Sequence, residues 1–212
     1  MSSNGNERKL SKDEIRRREN FLKVTSELES EGYVKKDLTT SAMTANVAGT
    51  GIGALCAAPL MVLFFVLGGS MVIEDSPALF FVTIVAFLVS IVVHELLHGI
   101  TWSLFARDHF KNIAFGFIVE ALTPYCTCKV PLKKGQYIAG LLMPFLILGI
   151  IPGIIGAFTG NMYISIFGAL SIVGAGGDLL IFSMILRNKE NGKVLYLDHP
   201  TEVGLVTFVK GA

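Results

Sequence analysis

Charge is scarce in this chain. Only 17% of its 212 residues are Asp, Glu, Lys or Arg, against roughly a quarter in ordinary soluble domains. Hydrophobic residues make up 52%. That balance excludes a disordered chain and a conventional soluble enzyme. Three cysteines, Cys56, Cys126 and Cys128, are too few for the disulfide framework of a small secreted domain. Neither sign of charge dominates, with 18 basic residues against 17 acidic, so no global field draws nucleic acid, and none is expected as a partner. There is no internal repeat and no low-complexity stretch. A cleavable signal peptide is not expected, because Met1–Lys36 is polar and highly charged where such a leader would be apolar.

What remains is long uncharged runs. Residues 47–73 carry no charge, residues 76–106 carry one carboxylate, Glu95, and residues 135–177 carry none; after Asp178 the gap continues to Arg187. A bilayer core of about 30 Å takes about 20 helical residues. Four transmembrane helices are therefore expected, roughly at 48–72, 78–106, 136–158 and 162–186, with Thr159-Gly160-Asn161 as the turn between the last two. All 18 basic residues fall before residue 47, between spans two and three, or after span four, while the turns at 73–77 and 159–161 hold none. The positive-inside rule then puts both termini in the cytoplasm of a multi-pass protein of the cell membrane.

The polar segments carry smaller elements. Ser11-Lys12-Asp13-Glu14 resembles a capping box for a helix running to about Ser30, with Phe21, Leu22, Val24 and Leu28 as an apolar stripe. Such a helix would lie at the bilayer interface or pack on the membrane domain. Residues 112–130 hold two short runs rich in branched and aromatic side chains, read as a cytoplasmic β-hairpin. A second small hairpin is compatible with 193–198 and 204–209. The expected architecture is an all-α integral membrane protein with these hairpins. Its segments would be a cytoplasmic N-terminal segment 1–46 with one helix, a transmembrane domain 47–187 and a cytoplasmic tail 188–212. Pro144 and Pro152 are expected to kink span three. Cys126 and Cys128 fall on one side of a strand and read as packing thiols rather than a second metal site, since no further Cys or His follows at zinc-ribbon spacing.

The chemistry sits in span two, at His94-Glu95-Leu96-Leu97-His98. Two histidines four apart lie on one helix face, where their imidazoles can converge on a metal ion. Glu95 lies about 100° round from His94, within reach of a metal-activated water without itself being a ligand. Ionisable groups inside a span are costly and functional by default, and no Lys or Arg in the spans offsets these three; a divalent cation would. A catalytic zinc takes three protein ligands and keeps one position open. Asp178 is the other acidic residue within a span. His98 lies nine residues before Arg107, and Asp178 lies nine before Arg187. At 1.5 Å per residue both sit about 13 Å from the same face. Gly174, Gly176 and Gly177 before Asp178 would let helices approach closely. Glu120, His109, Asp198 and His199 are the remaining candidate ligands, His199 foremost among them. His and carboxylate donors suit Zn2+, and also iron, cobalt or manganese.

A histidine pair with a glutamate in one span, followed by Gly177-Asp178 in a later one, resembles the site-2 type intramembrane zinc metalloproteases. A closer resemblance is to the zincin peptidases of unknown function, a family of small multi-pass membrane proteins. It rests on His94–His98, Leu122-Thr123-Pro124-Tyr125-Cys126 with Cys128 and Pro131, Gly177-Asp178, and Asp198-His199-Pro200 with Gly204. It spans about residues 30 to 209. The longer aspartate motif of site-2 enzymes is replaced here by Gly174-Ala175-Gly176-Gly177-Asp178. The resemblance implies a peptidase fold.

The resulting expectation is an intramembrane zinc metalloprotease of the HExxH type, with its site near the cytoplasmic face. His94, His98 and Asp178 would bind zinc, and Glu95 would be the catalytic base. The partners would be the lipid bilayer and a membrane-embedded or membrane-proximal peptide segment presented as a strand to the 112–130 hairpin. The alternative is a non-catalytic membrane protein with a structural or regulatory metal site. A metal transporter is disfavoured, because no second set of His or acidic residues lines the other half of the bilayer.

Overall fold

The computed structural model describes residues 12–70, 77–118 and 123–211; Ser11, the acidic turn at Glu74-Asp75, Glu120 and Leu122 lie outside the described residues. Helix α1 (Lys12–Ser30) carries Phe21, Val24 and Leu28 at i, i+3 and i+7, which is one face. Phe21 and Leu28 are buried with Tyr33, Leu197, Val206 and Phe208, and Val24 packs at the edge of that cluster. Leu22, part of the expected stripe, is 57% exposed. At about 1.5–3 kcal/mol per fully buried large apolar side chain, this face is what holds α1 on the protein.

Strand β1 (Val34–Thr40) leads into α2 (Ala42–Val66), whose N-cap Ser41 accepts a 3.1 Å hydrogen bond from the Thr44 amide through its Oγ. That cap starts the helix six residues before the expected position, because a local hydrogen bond rather than the end of the charged segment decides where the helix begins. Helix α3 (Pro77–Ser103) carries the histidine pair. After it come β2 (Ile113–Ile118), β3 (Thr123–Cys128) and β4 (Leu132–Lys133). Helix α4 (Lys134–Pro144) continues through a π-helical stretch, Phe145–Ile150, into α5 (Ile151–Thr159). Pro152 has no amide hydrogen to donate back into the preceding turn, and the wider stretch between the two prolines absorbs that fault without ending the run.

Helices α6 (Met162–Gly174) and α7 (Gly176–Arg187) occupy the expected fourth span. They form a pair bent by 50° rather than one straight helix. The break falls at Ala175, within Gly174-Ala175-Gly176-Gly177, where each glycine weakens helix by about 1 kcal/mol. Helix α2 crosses this break at backbone distance: a Cβ on Gly176 would lie 2.1 Å from the Gly49 carbonyl oxygen, and one on Gly53 2.8 Å from the Val173 Cα. Of the three glycines expected to permit close approach, Gly176 does so, while Gly174 and Gly177 face open space.

Three helices among the described residues are long and apolar enough to cross a membrane: α2, α3 and the continuous Lys134–Thr159 run. Their mean hydropathies are 2.0, 2.4 and 2.5, and the α6–α7 pair makes a fourth if the bent pair is one span. The architecture is mostly helical, but it is not all-α. Strands β5 (Lys193–Asp198) and β6 (Val203–Lys210) form the centre of a four-stranded antiparallel sheet of order β1-β6-β5-β4, and β2 pairs with β3 in a separate hairpin. β1 was not expected, because the segment 1–46 reads as carrying one helix and no strand. As an edge strand it tolerates charge, and charge there discourages further pairing. One face of the sheet, with Leu195, Leu197, Val206 and Phe208, receives α1. The other, with Val194, Tyr196 and Leu205, packs on Tyr137, Leu141 and Ile185 at the ends of the helices.

Candidate metal centre

The side chains that could ligate a metal converge from two helices. His94 and His98 project from α3 one turn apart, and Asp178 comes from the first turn of α7. His94 Nε2 lies 3.0 Å from Asp178 Oδ2, and His98 Nε2 lies 3.5 Å from Asp178 Oδ1. One donor atom from each of the three falls within 4.8 Å of the others. Tetrahedral zinc with N and O ligands at about 2.0–2.1 Å sets its ligand atoms about 3.3 Å apart, and the 3.0 Å between His94 Nε2 and Asp178 Oδ2 is close to that value. The donor set therefore fits a zinc ion. The bend at Ala175 is what starts α7 where it does, and it places Asp178 in a first turn, where the helix dipole favours a carboxylate.

The orientation of His98 is set by its other nitrogen. Nδ1 lies 2.9 Å from the Gly140 carbonyl oxygen on α4; donating there leaves the Nε2 lone pair aimed at Asp178 and His94. The His98 ring stacks on Trp102, with centroids 5.2 Å apart and planes 14° apart. Trp102 Nε1 donates to the Tyr137 carbonyl at 3.1 Å. The indole occupies the space a side chain at position 140 would need: a Cβ there would lie 2.1 Å from Trp102 Nε1. The column continues through the Tyr137 ring to its hydroxyl, which donates to Asp198. Asp198 also accepts from the Cys128 amide at 3.1 Å. Burial raises the Asp198 pKa from its ordinary value, with the Tyr137 hydroxyl and the Cys128 amide opposing.

Glu95 leaves α3 about 100° round from His94, and the two line the same cavity. The β3 backbone reaches Glu95 there, the Cys126 amide donating to its carboxylate. That cavity measures about 160 Å³ and is lined by His94, Glu95, Ile91, Pro124, Leu148 and Ser171 among others. Its walls are therefore α3, β3, the π-helical stretch and α6. Burial pushes both strand thiols up, Cys128 to about 12, so neither is a thiolate at neutral pH.

The chain is a member of a known family. Its model, described as "Putative zincin peptidase", matches residues 87–192, half of the chain, and takes in α3 from Phe87 onward, the β2–β3 hairpin and everything to the end of α7. No curated protein and no solved structure matches the chain. This zincin family member brings together three of the residues singled out in its sequence and leaves the other candidates elsewhere. Asp198 is engaged with Tyr137 and Cys128. His199 caps its own loop, its Nδ1 accepting from the Glu202 amide at 2.8 Å, and its ring faces Phe21 of α1. His109 Nδ1 lies 3.0 Å from the Ser103 carbonyl oxygen. Glu120 lies outside the described residues.

Trp102, Tyr137 and Gly140 were not anticipated from sequence. Trp102 had a local signal, being the single tryptophan and one turn beyond His98 on the same face. Tyr137 and Gly140 sit on another helix, with nothing in their local pattern to tie them to the histidines.

Proposed function

We propose that this zincin family member is an intramembrane zinc-dependent peptidase that cleaves membrane-embedded or membrane-proximal segments near the cytoplasmic face. The observation that carries the reading is the convergence of His94, His98 and Asp178, with Glu95 beside them at the mouth of a cavity. His94, His98 and Asp178 would hold the ion. When bound, zinc would lower the pKa of a coordinated water toward 7 and polarise the scissile carbonyl.

The chain's own residues supply the rest. The Glu95 carboxylate takes a proton from the attacking water and returns it to the leaving amine nitrogen. Gly140, through His98 Nδ1, keeps the imidazole in the tautomer whose Nε2 is a donor to the ion. The hairpin supports the reading of an extended substrate: β3 lies against α3 and touches Glu95 through its backbone, so a segment laid along it would pass the base. Pro124, Ile91 and Leu148 give the adjoining cavity an apolar lining suited to a hydrophobic side chain.

The test is Glu95→Gln in the full chain. The amide cannot accept the proton, and general-base assistance is worth about 10²–10⁴-fold. Zinc content should stay at the wild-type level while cleavage falls by that factor, and uncut substrates should accumulate in membrane proteomes of cells carrying the variant. Unchanged processing in Glu95→Gln cells, with loss of phenotype in His94→Ala cells, would replace the peptidase by a structural metal site.

A further inference from the structure

A second cavity lies between the hairpin and α1. It measures about 270 Å³ and is lined by Arg16, Arg17 and Asn20 of α1, Ile113, Ala114, Phe115 and Tyr125 of the hairpin, and Lys129. Three of its lining residues are cationic, and no carboxylate lines it among the described residues. The Arg17 guanidinium lies over the Tyr125 ring, its Cζ 4.1 Å from the centroid. Its Nε is buried and has no hydrogen-bond partner among the described residues. A buried guanidinium N–H without an acceptor is costly, and charged donors most of all. Arg17 also lines the cavity, so an anion entering it would meet the guanidinium's positive charge.

The level of the cavity indicates the source of that anion. Phe115 rests against Gly99, in the last turns of α3, where the apolar helix gives way to Arg107 and Lys111. Around it Leu104, Phe105, Phe110, Phe115 and Phe117 are exposed. Apolar and aromatic side chains surrounding a cationic pocket at a span's end match the boundary between acyl chains and headgroups.

We propose that this cavity binds the phosphate of an anionic phospholipid headgroup, held by Arg17 and Lys129 with the acyl chains along the exposed phenylalanines. The planar guanidinium suits bidentate phosphate contact. The proposal rests on the membrane reading above but not on the peptidase reading, because none of its residues belongs to the metal centre. It also gives α1 a task beyond covering the sheet, since Tyr125 adjoins Cys126, whose amide reaches Glu95.

The experiment uses the full chain in phosphatidylcholine nanodiscs doped with phosphatidylglycerol, followed by native mass spectrometry of the lipid retained on the released protein. The wild type should hold phosphatidylglycerol in preference to phosphatidylcholine. Each cation removed should weaken retention about fivefold, so Arg17→Gln should lose about that factor and Arg17→Gln/Lys129→Gln more. Lys23→Gln, which removes the same charge from an exposed position of α1, should match the wild type. Arg17→Lys keeps the charge without the planar fork and should fall between, which separates a binding loss from misfolding. Equal losses in Lys23→Gln would mean diffuse attraction and overturn the site. Displacement by inorganic phosphate as readily as by phosphatidylglycerol would overturn the lipid as its source. A chain that stays in the nanodisc but retains no anionic lipid would overturn the proposal and leave the membrane reading standing. A chain that leaves the nanodisc would overturn both.

Discussion

The two halves of α3 differ sharply in what surrounds them. Its first half, from Pro77 to Val89, presents Phe80, Phe81, Val82, Leu88 and their neighbours outward, and Leu88 is 58% exposed. Its second half buries His98, Gly99, Thr101, Trp102 and Ser103. One continuous helix thus has an apolar outside where it touches little protein, and a polar inside where α4, β3 and α7 close around it. The lesson is that burial and hydrophobicity are decoupled here. In water the exposed phenylalanines would be a large liability. In lipid they would be the solvated surface, and protein cover would be needed only where polar groups gather.

The largest effect expected is at the polar half. His98→Ala removes one of three donors and the ring that stacks on Trp102, and zinc retention measured by elemental analysis should fall by more than about 100-fold, beyond the 10–100-fold typical of losing an outer partner. Asp178→Ala should do the same. Full zinc in Asp178→Ala together with loss in His199→Ala would move the third ligand to the C-terminal loop.

The next effect tests the apolar half. Leu88→Arg places a charge near the middle of α3, at a cost of about 2.5–3.5 kcal/mol if that half lies in hydrocarbon. Membrane integration should drop sharply, while Leu88→Ala should be nearly silent. Equal integration of all three proteins would mean that this surface faces water. Gly140→Ala sharpens the comparison from the other side. The added Cβ meets Trp102 Nε1 at 2.1 Å, and an overpacked site of this kind costs about 1–3 kcal/mol. Both the thermal midpoint and zinc affinity should fall, and Trp102→Phe in the same chain should restore part of each by removing Nε1.

The smallest effect lies in the sheet. Burial lowers the His199 pKa, with Glu202 and Asp37 opposing and Lys35 assisting. The unfolded chain then binds the proton more readily than the folded one, so stability should be complete above about pH 6.5 and decline as the pH falls below it. In His199→Asn this decline, followed by thermal unfolding, should be shallower. A steeper one would mean that His199 is not the group responsible.

Much of this could be read in advance. The uncharged runs locate the helices because apolar composition over 20 residues is a local property. The His94–His98 spacing places two imidazoles on one face because the helical period is fixed. β1 and the broken fourth span escaped, because a strand exists only through its partner and a break shows only when a neighbour crosses it. Val34–Thr40 pairs with Val203–Val209 across the full length of the chain. Gly204 hints at that pairing: it has φ +129°, and a Cβ there would lie 2.3 Å from the Leu38 carbonyl oxygen. Which carbonyl the glycine had to clear was not visible locally.

By itself the sequence determined the apolar helices, the polar turns between them, and a histidine pair with its glutamate on one of those helices, all of which follow from composition and period along the chain. The sequence put Asp178 at the depth of the histidines, but only the tertiary structure decided that it meets them. Asp178 and Asp198 are both partly buried acids, and depth along a helix says nothing of lateral distance. The 50° bend at Ala175 swings one to 3.0 Å from His94, while the sheet ties the other to Tyr137. Distances between residues 84 positions apart are set by packing, and packing depends on every helix at once.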